Sequence, residues 1–249
     1  MEKVKSERMR RRILHTADWH FRRLDDNVSR CLVAIVDLAS KTKVDLVIVA
    51  GDLFDYNRVG DNLVSFVIER LEALPVPTFI LPGNHDCLDS DSVYHRAELW
   101  KDTKNVRIFL TLEGETLTLP GLSVWGKPIT SFVGNLRPLA GIPQPHGKGQ
   151  WHIAVAHGSH EPFFEPAILS GFHISREDII TSGQDYIALG HYATFKCVYD
   201  APLKVYYCDS PYGAYPHTVN IVDFIEGTGV QVKRVTLHEG ERKLKLPLA

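Results

Sequence analysis

The chain has 249 residues, 44% of them hydrophobic, and a formal net charge of −2. That length buries one substantial core in a single domain, and so small a charge excludes a broadly electropositive surface that would grip long DNA by counterion release alone. No run approaches the roughly 18 consecutive apolar residues of a membrane span, and the first residues hold no apolar core of a signal peptide, so a cytoplasmic protein is expected.

The opening MEKVKSERMRRR carries six Lys or Arg and no hydrophobic periodicity, which reads as a basic flexible tail over 1–12 ahead of one domain at 13–249. Ile13–Thr16 is the first expected strand. Val28, Cys31, Leu32, Ile35, Leu38 and Ala39 follow at helical spacing, with Asp26 or Asn27 placed to cap the start. Leu46–Ala50 is a buried strand, and Leu63, Val64, Val67, Ile68, Leu71 and Leu74 repeat the helical stripe until Pro75 and Pro77. Thr78–Leu81 completes a β-α-β-α-β order.

After Asn105 strands dominate. Glu115–Leu119 and Leu122–Trp125 read as a hairpin around Pro120 and Gly121, and residues 126–149, rich in Pro and Gly, as a long surface loop near a site or an edge. Trp151–Ala156 and Tyr186–Leu189 resume buried strands, with a short helix between them that Ser175 caps. Val205–Cys208, Thr218–Ile225 and Val230–Leu237 are further strands. The order predicts an α/β fold, a layered sandwich of two mixed β-sheets flanked by helices, in which the second half supplies the second sheet. The cysteines show no CxxC spacing, so reduced thiols are the default; Cys197 and Cys208 lie on expected neighbouring strands.

Five times a buried strand pattern runs into residue types that hold metals. ILHTADWH gives Asp18 and His20, VIVAGD gives Asp52, FILPGNHD gives Asn84 and His85, IAVAH gives His157, and IALGH gives His191. Ligands of open α/β sheets bind at the carboxyl ends of strands, where such residues converge. Carboxylate, imidazole and amide oxygen without thiolate suits Mn, Fe or Zn, and the hard-oxygen share favours Mn or Fe. In Asp18-x-His20 both side chains leave an extended backbone on one side, and the glycines before Asp52, Asn84 and His191 allow sharp turns. Taken singly, such aspartates more often cap turns and such histidines more often pair with neighbours; their recurrence at successive strand ends carries the inference. Eight other histidines are not added to the site, and Asp55 reads as a turn residue, Cys87 as a small filler.

DWH, GDLFD, GNHD, AHG and GH, in this order, resemble the calcineurin-like metallophosphoesterase family, and HTADWH with GDLFDYNR is most similar to its SbcD branch of bacterial DNA-repair nucleases. The likeness runs from about residue 13 to 238 and includes YYCDSP. It implies two divalent ions, most simply Mn with Fe, Zn or Mg as alternatives, about 3.5–4 Å apart and activating water for in-line attack on phosphorus. Asp52 would bridge them, Asp18 and His20 would hold the first, and Asn84, His157 and His191 the second. His85 would stabilise the phosphate or protonate the leaving oxygen, oriented by Asp86.

One position departs from the family's Gly-His-x-His: here Gly190, His191 and Tyr192 are followed by Ala193, which cannot ligate. The first ion then keeps Asp18, His20 and Asp52, with water or a nearby donor, His160 being the nearest unassigned histidine, in the open place. Arg22, Arg23 and Arg58 follow two of the motifs and read either as phosphate grips or as ordinary solvated cations. The resemblance implies a DNA exonuclease or endonuclease, an SbcC-like ATPase partner and a possible homodimer. The chain closes soon after the expected second sheet, which favours a free-standing enzyme on shorter substrates. A small-molecule phosphodiesterase or phosphatase acting on nucleotides, and a scaffold impaired at Ala193, are the alternatives.

Overall fold

A computed structural model describes residues 8–147, 149–160, 171–200, 202–212 and 217–237. Within them the chain runs β1 (Arg11–Thr16), α1 (Asp26–Thr42), β2 (Leu46–Ala50), α2 (Asp61–Glu72), β3 (Thr78–Leu81), α3 (Ala97–Trp100), β4 (Val106–Ile108), β5 (Glu115–Leu119), β6 (Leu122–Gly126), β7 (Trp151–His157), β8 (Ser159–His160), β9 (His173–Ile174), α4 (Arg176–Thr181), β10 (Tyr186–Gly190), β11 (Lys196–Asp200), β12 (Lys204–Tyr207), β13 (Thr218–Ile225) and β14 (Gly229–Thr236). Two six-stranded sheets result, ordered β14-β13-β1-β2-β3-β4 and β11-β12-β10-β7-β6-β5. Both are mixed. Strands β1 to β4 are mutually parallel, as are β6, β7, β10 and β12, while β13, β14, β5 and β11 pair antiparallel.

Side-chain alternation decides the layers. In β1 and β2, Ile13, Leu46 and Ile48 face the second sheet, where they meet Ile153, Val155 and Tyr186. Their neighbours Leu14, Val47 and Val49 face the helices and pack on Leu32, Ile35, Val64 and Val67. Period-2 strands covered on both faces read as continuous apolar runs for this reason. A third cluster, with Ala154, Ile187, Val205 and Ile179, covers the outer face of the second sheet.

The second half does not confine itself to the second sheet, as the sequence order suggested. β13 returns to the free edge of β1, placing Val219 and Ile221 toward the helices and Val222 and Phe224 between the sheets. An edge flanked by two apolar layers is best closed by a strand apolar on both faces. Local signals were otherwise close: Asp25, rather than Asp26 or Asn27, caps α1 through Asn27 and Val28, and Ser175 caps α4 in a reciprocal box with Asp178.

The basic stretch is not wholly a tail. Residues 1–7 lie outside the described part, but Arg11 and Arg12 already belong to β1, Arg12 holding Asp223 at 2.9 Å. Arg8 lies over the Trp151 ring and pairs with Asp185 at 2.8 Å. Cys197 faces Tyr206 rather than Cys208, and the four cysteines are free. Among the described residues no helix is long and apolar enough to cross a membrane.

His15 is sealed between the sheets with its Nδ1 2.8 Å from the Tyr186 hydroxyl. Burial pushes its pKa down to about 3, so the fold keeps the ring neutral over a range in which the unfolded chain binds a proton. Stability from this residue is therefore full above about pH 6.5 and falls as pH drops toward 3, by up to roughly 1.4 kcal/mol per unit. In urea unfolding at pH 7 and pH 4.5, His15→Gln should lose roughly 2 kcal/mol less between the two conditions than the wild type. Equal losses would mean that His15 does not govern the acid limb.

Candidate metal centre

The parallel strands of both sheets end at one place. β1 runs out into Asp18 and His20, β2 into Asp52, β3 into Asn84 and His85, β7 finishes on His157, and β10 leads to His191. The two sheets touch closely at these ends: a Cβ on Gly190 would stand 1.9 Å from the Ala50 carbonyl oxygen, and one on Gly51, whose φ is +96°, would stand 2.0 Å from His157 Nδ1. Only glycine lets the backbones approach so far.

The turns are zipped to each other. Asp18, Trp19, His20 and Phe21 donate backbone hydrogen bonds to Gly51, Asp52, Asp52 and Leu53 at 2.8–3.1 Å. Asp18, His20 and Asp52 have φ of 55°, 51° and 54°, and His191 has 101°. The Asp18-x-His20 pair is thus not extended, as its spacing suggested; both residues occupy left-handed backbone that L side chains rarely adopt. Such conformations cost of order 1–3 kcal/mol each and persist where the surroundings over-determine them, typically at functional sites.

At the centre, acceptors face acceptors. His157 is fully buried and its Nδ1 donates to the Ala50 carbonyl at 2.9 Å. That bond turns the other nitrogen, Nε2, toward Asp52 Oδ2 at 3.2 Å and Asn84 Oδ1 at 3.0 Å. His191 Nδ1 lies 3.0 Å from the same amide oxygen and 3.3 Å from His157 Nε2. A carboxylate, an amide oxygen and two ring nitrogens at such distances need positive charge among them.

The titration tendencies express the same need. Burial opposes a charged His157, but Asp52 and then Asp18 outweigh it and lift the pKa to about 9. Burial would raise Asp52, yet His157, His20 and His85 hold it below the ordinary carboxylate value. Asp18 is pushed up to about 7 by burial, against His157, and its oxygens accept the His191 backbone N–H at 3.0 and 3.1 Å. Burial, and then the neighbouring His157, push His191 down to about 3. A divalent cation satisfies these groups as a proton on His157 only partly can. The donor atoms fit one: Asp18, Asp52 and His157 fall within one 4.8 Å group, and His20, Asp52 and His85 within another. Asp52 is common to both, and Asp18 stands nearer His157, His20 nearer His85, than the motif order alone assigns.

Around His85 the structure revises the expected support. Asp86 is fully buried and accepts from Gly83 N at 2.8 Å, Phe54 N at 3.1 Å and the Tyr94 hydroxyl at 2.6 Å, with no bond to His85. It ties the GNHD turn to the GDLFD turn. His85 is held instead by Asp55, whose carbonyl accepts its Nδ1–H at 2.9 Å, while the Asp55 carboxylate lies 3.2 Å from His20 Nδ1 and accepts Arg22 Nε at 2.9 Å. Asp55 is thus more than a turn residue, a role that the second aspartate of GDLFD was able to signal. Tyr94 carried no such signal.

The cleft over these residues is lined by Asp18, Trp19, His20, Arg22, Asp55, His85, Ala193, Asp209, Ser210 and Tyr212. Ala193 stands in its wall, as its place in the motif predicts, and among the described residues no histidine replaces it there: His160 is buried with its Nδ1 on the Ile174 carbonyl. Asp209 is engaged by Arg234 at 2.6 Å. Of the three arginines only Arg22 lines the cleft; Arg23 and Arg58 are exposed beside Asp25 and Asp91, at 3.8 and 3.6 Å.

Comparison with known proteins agrees with the geometry. The family model for calcineurin-like phosphoesterases matches residues 11–195. The SbcD component of the nuclease SbcCD from Staphylococcus epidermidis is 29% identical over 85 residues, 30% of this chain and 23% of its own length. The DNA double-strand break repair protein Mre11 of Methanopyrus kandleri is 22% identical over 246 residues, 90% of this chain and 52% of that protein. The chain therefore spans about half, or less, of the length of these curated relatives. Among solved structures, TT1561 of Thermus thermophilus shares the fold with a TM-score of 0.59 at 13% identity, over 92% of this chain and 100% of that one.

The Tyr94–Asp86 bond is a test of how the turns are held. Burial, then Asp52, raise Asp86 to about 6, against the hydrogen bonds of Tyr94, Phe54 and Gly83. Tyr94→Phe should cost about 2 kcal/mol in urea unfolding at pH 7.5 with the m-value unchanged, the loss expected when a buried carboxylate gives up a hydroxyl donor. A change within about 0.5 kcal/mol would mean that the two backbone donors suffice.

Proposed function

Because the chain belongs to the calcineurin-like phosphoesterase family, whose members use divalent metals, we propose that it hydrolyses phosphodiester bonds, with nucleic acid as substrate. The observation that carries this reading is the pair of ligand groups sharing the buried Asp52, with His85 in one of them and an open cleft above. The nucleic-acid substrate is supported by likeness to SbcD and Mre11, which are named as part of a nuclease and as a double-strand break repair protein.

The motif order assigns Asp18, His20 and Asp52 to one ion and Asp52, Asn84, His157 and His191 to the other, and the geometry, which sets Asp18 with His157 and His20 with His85, keeps Asp52 common to both. Mn is the expected metal. Ions so placed lower the pKa of water and neutralise phosphate charge. The chain's own contribution is orientation. His157 is fixed through Ala50, Asp52 accepts the His85 backbone N–H at 2.9 Å, and the strained turns keep the ligands in place before substrate arrives. His85, its Nδ1–H committed to the Asp55 carbonyl, presents Nε2 to the phosphate, in reach of the leaving oxygen as a general acid. Arg22 is the cleft cation suited to grip a neighbouring phosphate. An SbcC-like ATPase partner and a homodimer belong to the same reading.

Ala193 favours a second reading, a fold whose first ion is too weakly held for catalysis. Hydrolysis of bis-p-nitrophenyl phosphate with rising manganese separates the two. The first reading expects manganese-dependent turnover, lowered about 10²- to 10⁴-fold in His85→Ala, and about tenfold less manganese for half-maximal rate in Ala193→His. An inert wild type alongside an active Ala193→His would establish the second reading. Whether nucleotides rather than nucleic acid are preferred follows from the ranking of single-stranded DNA, duplex DNA and cyclic nucleotides.

By calorimetry, wild type should bind two manganese ions of unequal affinity, and Asp52→Asn should weaken both, since this carboxylate is shared. Loss of one ion alone in Asp52→Asn would remove its bridging role.

A further inference from the structure

The long loop between β6 and β7 is anchored to the turn that bears His85. Ile129 donates its N–H to the Pro82 carbonyl at 3.1 Å and accepts Leu88 N–H at 2.7 Å, so both flanks of the GNHD turn are bound to one loop residue. Its side chain is fully buried beside Cys87 and Phe172. Further along, the Ser131 hydroxyl donates to the Val133 carbonyl at 2.8 Å. The backbone of Gly171 presses on the loop from the other side: a Cβ there would stand 1.5 Å from the Gly134 carbonyl oxygen. Between these anchors Phe132 projects its ring edge-on against His85, centroids 5.0 Å apart at 73°, yet the residue is 57% exposed.

A single exposed aromatic is unremarkable on most surfaces. This one is different because its position is fixed from both sides and because its ring touches the imidazole that also packs on His20 at 4.6 Å. An open aromatic surface within one ring's width of the group that meets the phosphate offers a flat, apolar partner to whatever is esterified there. The cleft lining sets Asp18, Arg22 and Asp209 beside two aromatics, Trp19 and Tyr212. Trp19 is fully buried and Tyr212 packs edge-on against Phe21 at 5.2 Å, whereas Phe132 is exposed and in contact with His85, so a flat ring joined to a phosphate at His85 meets the Phe132 face first. Bases in a duplex are already stacked on each other; an unpaired base is free to use such a platform.

We propose that Phe132 is a specificity residue, stacking on the unpaired nucleobase next to the phosphate bound at His85, and so directing the site to single-stranded ends or short oligonucleotides. This deepens the phosphodiesterase reading and rests on its placement of substrate at His85.

The test uses two probes, a phosphorothioate-linked thymidine dinucleotide and its analogue with both bases replaced by hydrogen, titrated calorimetrically into the full chain with manganese. Bis-p-nitrophenyl phosphate hydrolysis is followed in parallel. Wild type should bind the base-bearing probe about tenfold tighter, within the range of one base–aromatic stack. Phe132→Ala should abolish the difference by weakening only the base-bearing probe, and Phe132→Trp should retain it. Equal affinity of wild type for the two probes, no binding of either, an undiminished difference in Phe132→Ala, or equal weakening of both probes would overturn the assignment. If base-dependent binding follows Phe132 while no protein hydrolyses the ester, the stacking role stands and the phosphodiesterase reading falls.

Discussion

A buried carboxylate that must not be left alone organises this molecule. Asp52 is almost inaccessible to water, and an isolated charge in such a place costs several kcal/mol even after relaxation. The chain surrounds it with His157 at 3.2 Å, His20 at 3.7 Å and the His85 backbone N–H at 2.9 Å. These partners come from the other sheet, from the turn after β1 and from the turn after β3. Meeting the need of one side chain therefore fixes how the two sheets abut at their carboxyl ends, and with it the cleft.

The cost of that convergence is carried by the backbone. Four residues with non-glycine side chains sit at positive φ in the turns around Asp52, where loops free to relax would not stay. They stay because apolar layers on both sides of the first sheet leave the strands no freedom to withdraw, and because Asp86 and Tyr94 tie two of the turns together under the surface. Stability made in the core is thus used to hold these side chains in backbone conformations that they would not adopt alone. Such pre-organisation suits electrostatic work on a charged substrate, since little rearrangement remains when it binds.

The same principle accounts for the outer parts of the cleft. Asp55 joins His85, His20 and Arg22, so the position of a cleft cation and of two imidazoles depends on one half-hidden carboxylate. Phe132 is placed by a loop whose own anchor is the turn that it covers. Ala193 is the exception: the family's pattern sets a donor there, and in this chain the wall is carried by Asp209, held by Arg234, and by Ser210, which donates to the Asp18 carbonyl at 2.6 Å.

Much of this was legible in the residues. Strands covered on both faces are unbroken apolar runs, so LVIVA, TFIL and YIALG announced buried strands with nearly correct ends, and the carboxylates, imidazoles and amide after five such runs do converge around Asp52. Those signals are local, set by side-chain period and by the chemistry of single residues. What the sequence did not decide is everything that depends on which turn meets which. It did not tell that β13 would close the edge of β1, that Asp86 would serve the backbone while Asp55 held His85, that the Asp18-x-His20 turn would be left-handed, or that Phe132, within a loop read as lying near a site or an edge, would rest on His85. Each is a pairing between segments distant in the chain, and a pairing energy exists only once the fold has brought both partners to the same place.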